Sequence, residues 1–129
     1  MDQKKLVAYA GHFLSEWNTQ DFDRVSACYT EDVEYRDPNT RGVVRGADAM
    51  RRYLRKLFAA WDMQWSLREC HPLAEREGAV ILWHAAFRKA GGSETVEADG
   101  IDIVMIRDGR IERNEVHFDR SALLKLLTP

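Results

Sequence analysis

The sequence is poor in cysteine. Only Cys28 and Cys70 occur in 129 residues, and neither stands in a CxxC pair or near another cysteine or histidine at metal-ligand spacing. A disulfide scaffold and a structural metal site are therefore not what organises this chain; the two read as reduced thiols that behave as small hydrophobes. Long apolar runs are missing too. The longest, AVILW at 79–83, falls far short of the ~20 residues a spanning helix needs, so a membrane is not an expected partner. The stretch MDQKKLVAYAGHF has no sustained apolar core and no small-residue cleavage site, and a cytoplasmic location is the expectation. Positive charge is not in surplus either: 19 Lys and Arg stand against 21 Asp and Glu, a formal net charge of −2. Nucleic acid is thereby disfavoured, because phosphate binding needs a basic excess on one face. The exception, RRYLRK at 51–56, alternates its cations with Tyr53 and Leu54 at helical spacing and reads as a solvated helix face.

What is present is the balance of a globular protein, 45% apolar, 31% charged and 10% aromatic, in a length that suits a single domain over residues 1–129. From Lys4 to Asn18, Leu6, Val7, Ala10, Phe13, Leu14 and Trp17 recur at three- and four-residue steps, which predicts an amphipathic helix. A short second helix follows, with Thr19 or Asp21 as its cap and Phe22, Val25 and Tyr29 on one face. VEYRD then places Val33, Tyr35 and Asp37 on one side of a strand, which Pro38 ends. A third helix is predicted from about Ala47 to Trp61, where Met50, Tyr53, Leu54, Leu57, Phe58 and Trp61 keep an unbroken apolar spacing. Beyond it, MQWSLRECHPLAE, AVILWHAAFRK, ETVEADGIDIVMI and RIERNEVHF read as a meander of long antiparallel strands separated by REG, AGG and RDG turns. SALLKLL closes the chain as a helix that Asp119 can cap. Helices first and strands last give an α+β fold with helices packed on one face of a curved antiparallel sheet.

That order of elements resembles the cone-shaped α+β roll of the nuclear transport factor 2 superfamily, which includes the ketosteroid isomerases and the SnoaL-like polyketide cyclases. Three stretches carry the likeness. NTQDFDRVSACYTEDVEYRDP at 18–38 is similar, without a gap, to the isomerase stretch ending in an Asp-Pro whose aspartate shuttles the proton. RGADAMRRYL at 45–54 looks like the glycine-led third helix, and GIDIVMIRDGRIERNEVHFD at 100–119 like the final hairpin. The resemblance implies a cofactor-independent enzyme, with Asp37 as base and Asp102 where the isomerases carry a second, protonated aspartic acid. The chemistry is coherent, since a base that removes a proton next to a carbonyl must be ionised, while the developing enolate needs a donor that a desolvated carboxylic acid can be. Ketosteroid isomerase is itself a standard illustration of that pairing. The chain departs from the isomerases at Phe13, which stands where they carry a tyrosine that donates to the same oxygen; Tyr35 or Tyr53 could supply a hydroxyl in a different geometry.

Other candidates follow from position. Asp102 stands in GIDIVMI, the most apolar strand of the chain, where a charged residue is seldom buried unless paired or neutral. Gly100 shares its face and could leave room for a ligand or mark a bulge. Asn114 would face inward in the isomerase register and orient a carbonyl, Trp17, Trp61 and Trp65 would form core or wall, His117 could share proton work or serve packing or the surface, and His84 could face the pocket or the subunit interface. Asp119 falls close to the acid/base position of the polyketide cyclases, but capping the last helix is the preferred explanation. The expected function is acid–base chemistry on a small hydrophobic carbonyl compound, in a homodimer formed through the outer face of the sheet, with Tyr35, Phe13, Trp17, Tyr53, Asn114 and His117 shaping the substrate site. A non-catalytic ligand-binding domain in the same cone is the alternative. Strongly shifted carboxylates in the pocket would favour the enzyme.

Overall fold

The computed structural model describes residues 2–127. In chain order they form α1 (Gln3–Asn18), α2 (Phe22–Ser26), β1 (Tyr29–Arg36), β2 (Val44–Arg45), α3 (Ala47–Ala60), β3 (Trp61–Pro72), β4 (Gly78–Lys89), β5 (Thr95–Arg107), β6 (Arg110–Phe118) and α4 (Ser121–Leu127). Helix α1 starts where the Asp2 carboxylate accepts the Lys5 N–H at 2.8 Å, and it buries Leu6, Ala10, Phe13, Leu14 and Trp17. Val7, expected in that stripe, is 40% exposed, because it is turned about 100° from Leu6 around the helix axis. Asp21 caps α2, accepting the N–H groups of Asp23 and Arg24. Tyr29 does not extend that helix; it opens β1 with its side chain buried. Helix α3 follows Gly46, whose φ of +86° suits a residue without a Cβ, and it ends one residue before the expected Trp61, whose extended backbone begins β3.

The six strands make one sheet in the order β2-β1-β6-β5-β4-β3. The meander is antiparallel throughout, from β3 to β6. Strand β1 lies antiparallel to β2 but parallel to β6, so the sheet is mixed rather than wholly antiparallel. The reason is connectivity: a parallel neighbour needs a long crossover, and α3 with four strands supplies it. Register shifts at Leu67/Glu69, Met105/Ile106 and Tyr29/Glu34 are bulges of the kind that bend a sheet, and they curl it around the helices. The Asp108-Gly109 turn joins β5 to β6 with both residues at positive φ, +52° and +80°, the twist a two-residue hairpin requires.

Strand β3 is an edge, and three side-chain amides cover it. The Asn18 amide donates to the Trp65 carbonyl at 2.9 Å and accepts the Trp65 N–H at 2.7 Å. Gln20 accepts the Met63 N–H at 2.6 Å and donates to the Trp61 carbonyl at 2.9 Å, while Gln3 donates to the Cys70 carbonyl at 2.9 Å. An edge paired in this way cannot template another strand, and the same bonds seat α1 across the mouth of the curved sheet.

Gly100 holds an unexpected place. It faces Trp83 across the β4–β5 ladder, and a Cβ there would come within 2.4 Å of the Trp83 ring and 2.9 Å of the His117 carbonyl. The space is thus taken by an indole, not kept for a ligand. Gly100→Ala is expected to destabilise the protein by about 1–3 kcal/mol, the cost of overpacking a close-packed core, with a shift in tryptophan emission as Trp83 is displaced. A denaturation midpoint and an emission spectrum unchanged from the parent protein would refute that placement.

Candidate functional site

Strand alternation sends Tyr35 of β1, Trp83 and Phe87 of β4, Asp102 of β5, and Val116 and Phe118 of β6 toward the helices. Between them and α1, α3 and α4 lies a narrow aromatic hollow with a water-accessible volume of about 30 Å³, walled by Trp17, Tyr35, Trp61, Trp65, Trp83 and Phe118 among others, with Asp37 and Asn39 at its polar edge. A second hollow, of about 20 Å³ on the same measure, has Asp102 as its only carboxyl and shares Trp17, Tyr35, Trp65 and Val116 with the first. The two aspartates therefore open onto adjoining spaces divided by common side chains.

Asp37 sits where β1 gives way to the turn. Its Oδ1 accepts the backbone N–H groups of Asn39 at 2.7 Å and Thr40 at 3.1 Å, and its Oδ2 accepts the hydroxyl of Tyr35 at 2.6 Å and a short bond from the hydroxyl of Tyr53. Four donors directed at two oxygens match the full acceptor capacity of a carboxylate. The turn and the tyrosine contacts meet on one carboxylate: the Asx turn that Asp-Pro favours fixes Oδ1 and leaves Oδ2 to the tyrosines. Burial, and next the charge of Asp37, hold both phenols well above the ordinary tyrosine range. They remain hydrogen-bond donors at any working pH.

Asp102 presents the opposite electrostatics. It is 5% exposed, and its Oδ1 accepts the Trp83 indole N–H at 3.0 Å. Burial pushes its carboxyl up to about 7, opposed by hydrogen bonds from Trp83 and Asn114 and reinforced by the charge of Asp37. Asn114 is fully buried and accepts the Tyr29 hydroxyl at 2.8 Å. Its inward orientation is as expected, though it supports Asp102 from behind and is not part of the cavity wall.

Several expected site residues lie elsewhere. Phe13 is 2% exposed and packs edge-on against Trp17 and Tyr29 at 6.4 and 6.1 Å between centroids. It is a layer behind the wall, since Trp17, one turn further along α1, comes between it and the cavity. His117 is exposed; its neighbours Val116 and Phe118 take the inward positions, so strand alternation turns the imidazole to the outer face. His84 is also on that face, its Nδ1 2.7 Å from Asp99 and its Nε2 2.9 Å from Glu97, contacts that raise its pKa, Glu97 first. Asp119 caps α4 by accepting the Ser121 N–H at 2.9 Å. Cys28 and Cys70 are free thiols, and burial pushes Cys28 up to about 11, which makes it a poor nucleophile. In RRYLRK, Arg51 pairs with Asp23 and, with Arg55, lies over the Phe22 ring. Among the described residues no group of His, Cys, Asp and Glu is arranged to hold a metal ion, and no helix is long and apolar enough to cross a membrane.

Two residues of the site escaped the sequence reading. Trp83 is the hydrogen-bond partner of Asp102, a contact foreshadowed only by the pairing of a bulky residue with a strand glycine. Tyr29 supports Asn114 across 85 positions of sequence. Expected on the face of the second helix, it instead opens β1 and shares the inward face of Val33 and Tyr35.

Comparison with known proteins agrees with this architecture. A SnoaL-like domain model matches residues 10–114. No curated protein matches significantly. Among solved structures, the chain is similar to a protein of unknown function from Burkholderia pseudomallei described as nuclear transport factor 2-like, with 19% identity, full coverage of both chains (100% each) and a TM-score of 0.80. It is also similar to SalBIII, an epoxide hydrolase/cyclase-like enzyme in pyran ring formation in the polyether salinomycin, at 17% identity over 94% of this chain and 95% of that one, TM-score 0.80. An epoxide hydrolase of the limonene epoxide hydrolase-like type from M. tuberculosis superposes with 20% identity, 93% and 90% coverage and a TM-score of 0.73. At such identities the superpositions speak for the fold alone, whereas the family model spans most of the sequence, and the chain belongs to the SnoaL-like family.

Proposed function

We propose that this protein is a cofactor-independent acid–base enzyme acting on a small hydrophobic carbonyl compound. The observation that carries the reading is Asp102: a buried carboxyl raised to about 7 in an aromatic hollow that adjoins the one with Asp37 at its edge. A group tuned close to working pH in a cavity is the mark of proton chemistry more than of passive binding. The substrate ring system would lie among Trp17, Trp61, Trp65 and Trp83 with its carbonyl toward protonated Asp102. Asp37 Oδ2 takes the proton from the carbon beside the carbonyl, the C–H electron pair passes into the new C=C bond, and the carbonyl π electrons move onto oxygen, where Asp102 donates a hydrogen bond. Return of the proton to another carbon is isomerisation; attack of the enolate carbon on a second carbonyl is aldol-type cyclisation; expulsion of a β-hydroxyl as water is dehydration. Because Tyr35 and Tyr53 already fill Oδ2, entry of the substrate would free one phenol, which can then serve as a donor in place of the tyrosine that Phe13 replaces.

The test does not need the natural substrate. Incubated with α-tetralone in deuterium oxide, the protein is expected to exchange the hydrogens next to the carbonyl faster than buffer alone, as followed by proton NMR, and Asp37→Asn to lose the acceleration. No exchange with α-tetralone or with other planar ketones that bind would favour the non-catalytic receptacle.

We also propose a homodimer through the outer sheet face, where Val80, Leu82, Ile101, Ile103 and Met105 form a half-buried apolar centre ringed by His84, Asp99 and Arg68. Sedimentation is expected to give a dimer for the parent protein and a monomer for Ile101→Glu, since a charge there would be buried without a partner. A parent protein that sediments as a monomer removes the interface.

A further inference from the structure

Trp17 carries a donor that nothing in the fold uses. Its side chain is 5% exposed, it lines both hollows, and its Nε1 has no hydrogen-bond partner among the described residues. The indole N–H is a donor only, and leaving one buried and unsatisfied is costly, so a fold keeps such a group where a partner arrives from outside. The surroundings narrow what that partner is. Asp102 opens onto the same inner hollow and, when protonated, is a donor too. The neighbouring acceptors are already engaged: Asn114 Oδ1 by the Tyr29 hydroxyl and Asp102 Oδ1 by Trp83. The Tyr29 hydroxyl is the neighbour that feels the Trp17 N–H, which pulls the phenol down against the larger rise from burial, yet the two groups do not meet in the geometry of a hydrogen bond.

We infer that the Trp17 N–H is a second donor to the substrate's carbonyl oxygen, acting with Asp102, and that this subsite selects ketones over the corresponding alcohols. This rests on the proposed acid–base function and deepens it. The position is telling: Trp17 lies one helical turn beyond Phe13, on the same buried face of α1, so the helix that lacks a hydroxyl at residue 13 offers an N–H four residues later. A carbonyl oxygen has two lone pairs and no proton, and two donors satisfy it fully. An alcohol brings a proton that the Trp17 N–H and a protonated Asp102, both donors, cannot receive in that position, and the mismatch penalises it. As charge accumulates on the oxygen during enolate formation, both bonds strengthen, which is the differential stabilisation that lowers a barrier.

The probes are α-tetralone and its alcohol, α-tetralol, with Trp17→Phe keeping a ring while removing the N–H. In the parent protein, α-tetralone is expected to move the Trp17 indole proton resonance downfield, while α-tetralol leaves it in place. The variant is expected to bind the ketone about tenfold more weakly, the worth of one good hydrogen bond, and the alcohol equally well, so that the ketone-to-alcohol preference collapses. The resonance is read in unmodified protein and stands even if the variant folds poorly. An indole resonance that ketone binding does not move, or a preference unchanged in Trp17→Phe, overturns the inference. If Asp37→Asn still abolishes deuterium exchange in that case, the acid–base reading survives without Trp17; if exchange is absent from the parent protein as well, both fall.

Discussion

Asp102→Asn is expected to make the protein more stable than its parent above neutrality, by as much as about 4 kcal/mol at pH 8. A carboxyl titrating at about 7 in the folded state instead of 3.8 corresponds to roughly that free energy. The sign follows from proton counting. Between pH 4 and 7 the unfolded chain has released the Asp102 proton while the folded chain retains it. Stability from this group is complete below pH 4, declines as pH rises through that window, and is fully lost above about 7. An asparagine keeps an oxygen for the Trp83 N–H and has no charge to bury, so the variant lacks this decline. Urea midpoints of both proteins at pH 4 and pH 8 check it: the two should nearly coincide in acid and separate in base. Variant and parent losing stability in parallel across that range would mean that Asp102 is not buried as a neutral acid.

The second large effect concerns rate. Asp37→Asn should lower kcat for enolisation by about a hundred- to ten-thousand-fold, the usual worth of a positioned general base, with little change in stability. The fold should hold because the amide oxygen can still accept the Asn39 and Thr40 N–H groups. A loss confined to KM would assign Asp37 to binding instead. Removal of Tyr53's hydroxyl in Tyr53→Phe offers a contrast: it frees one lone pair of Oδ2, so it should leave the base in place and alter mainly the stabilisation of the oxyanion.

How much of this was legible in the sequence depended on whether the signal was local. The stripe of α3, the antiparallel meander, the Asp-Gly hairpin and the cap at Asp119 are written in neighbouring residues, and each has its expected place. Asp102 was legible for a related reason: an acid in a strand as apolar as GIDIVMI has to be neutral or partnered. What failed depended on pairing between distant segments. The parallel β1–β6 contact, the Tyr29–Asn114 bond and the Trp83–Asp102 bond require a register that no local pattern encodes. His117 is a plainer lesson. It is three residues from Asn114 on one strand, so alternation alone sets them on opposite faces, and a site containing both was inconsistent from the start. Phe13 illustrates depth: periodicity tells which face of α1 is buried but not whether a residue on it meets a cavity or the layer behind one.

The account stands or falls on whether the two aspartates serve one site. Carbon-13 NMR of the protein labelled at its aspartate carboxyls, titrated from pH 3 to pH 9, measures this directly. One resonance should titrate at about 7 and vanish in Asp102→Asn, because burial has raised that carboxyl and the charge of Asp37 has raised it further. In Asp37→Asn the same resonance should titrate lower, since the neighbouring charge is gone. An Asp102 that titrates near 4, or one whose midpoint does not respond to Asp37→Asn, would contradict the claim that the two carboxyls share a cavity and divide the work of base and acid between them.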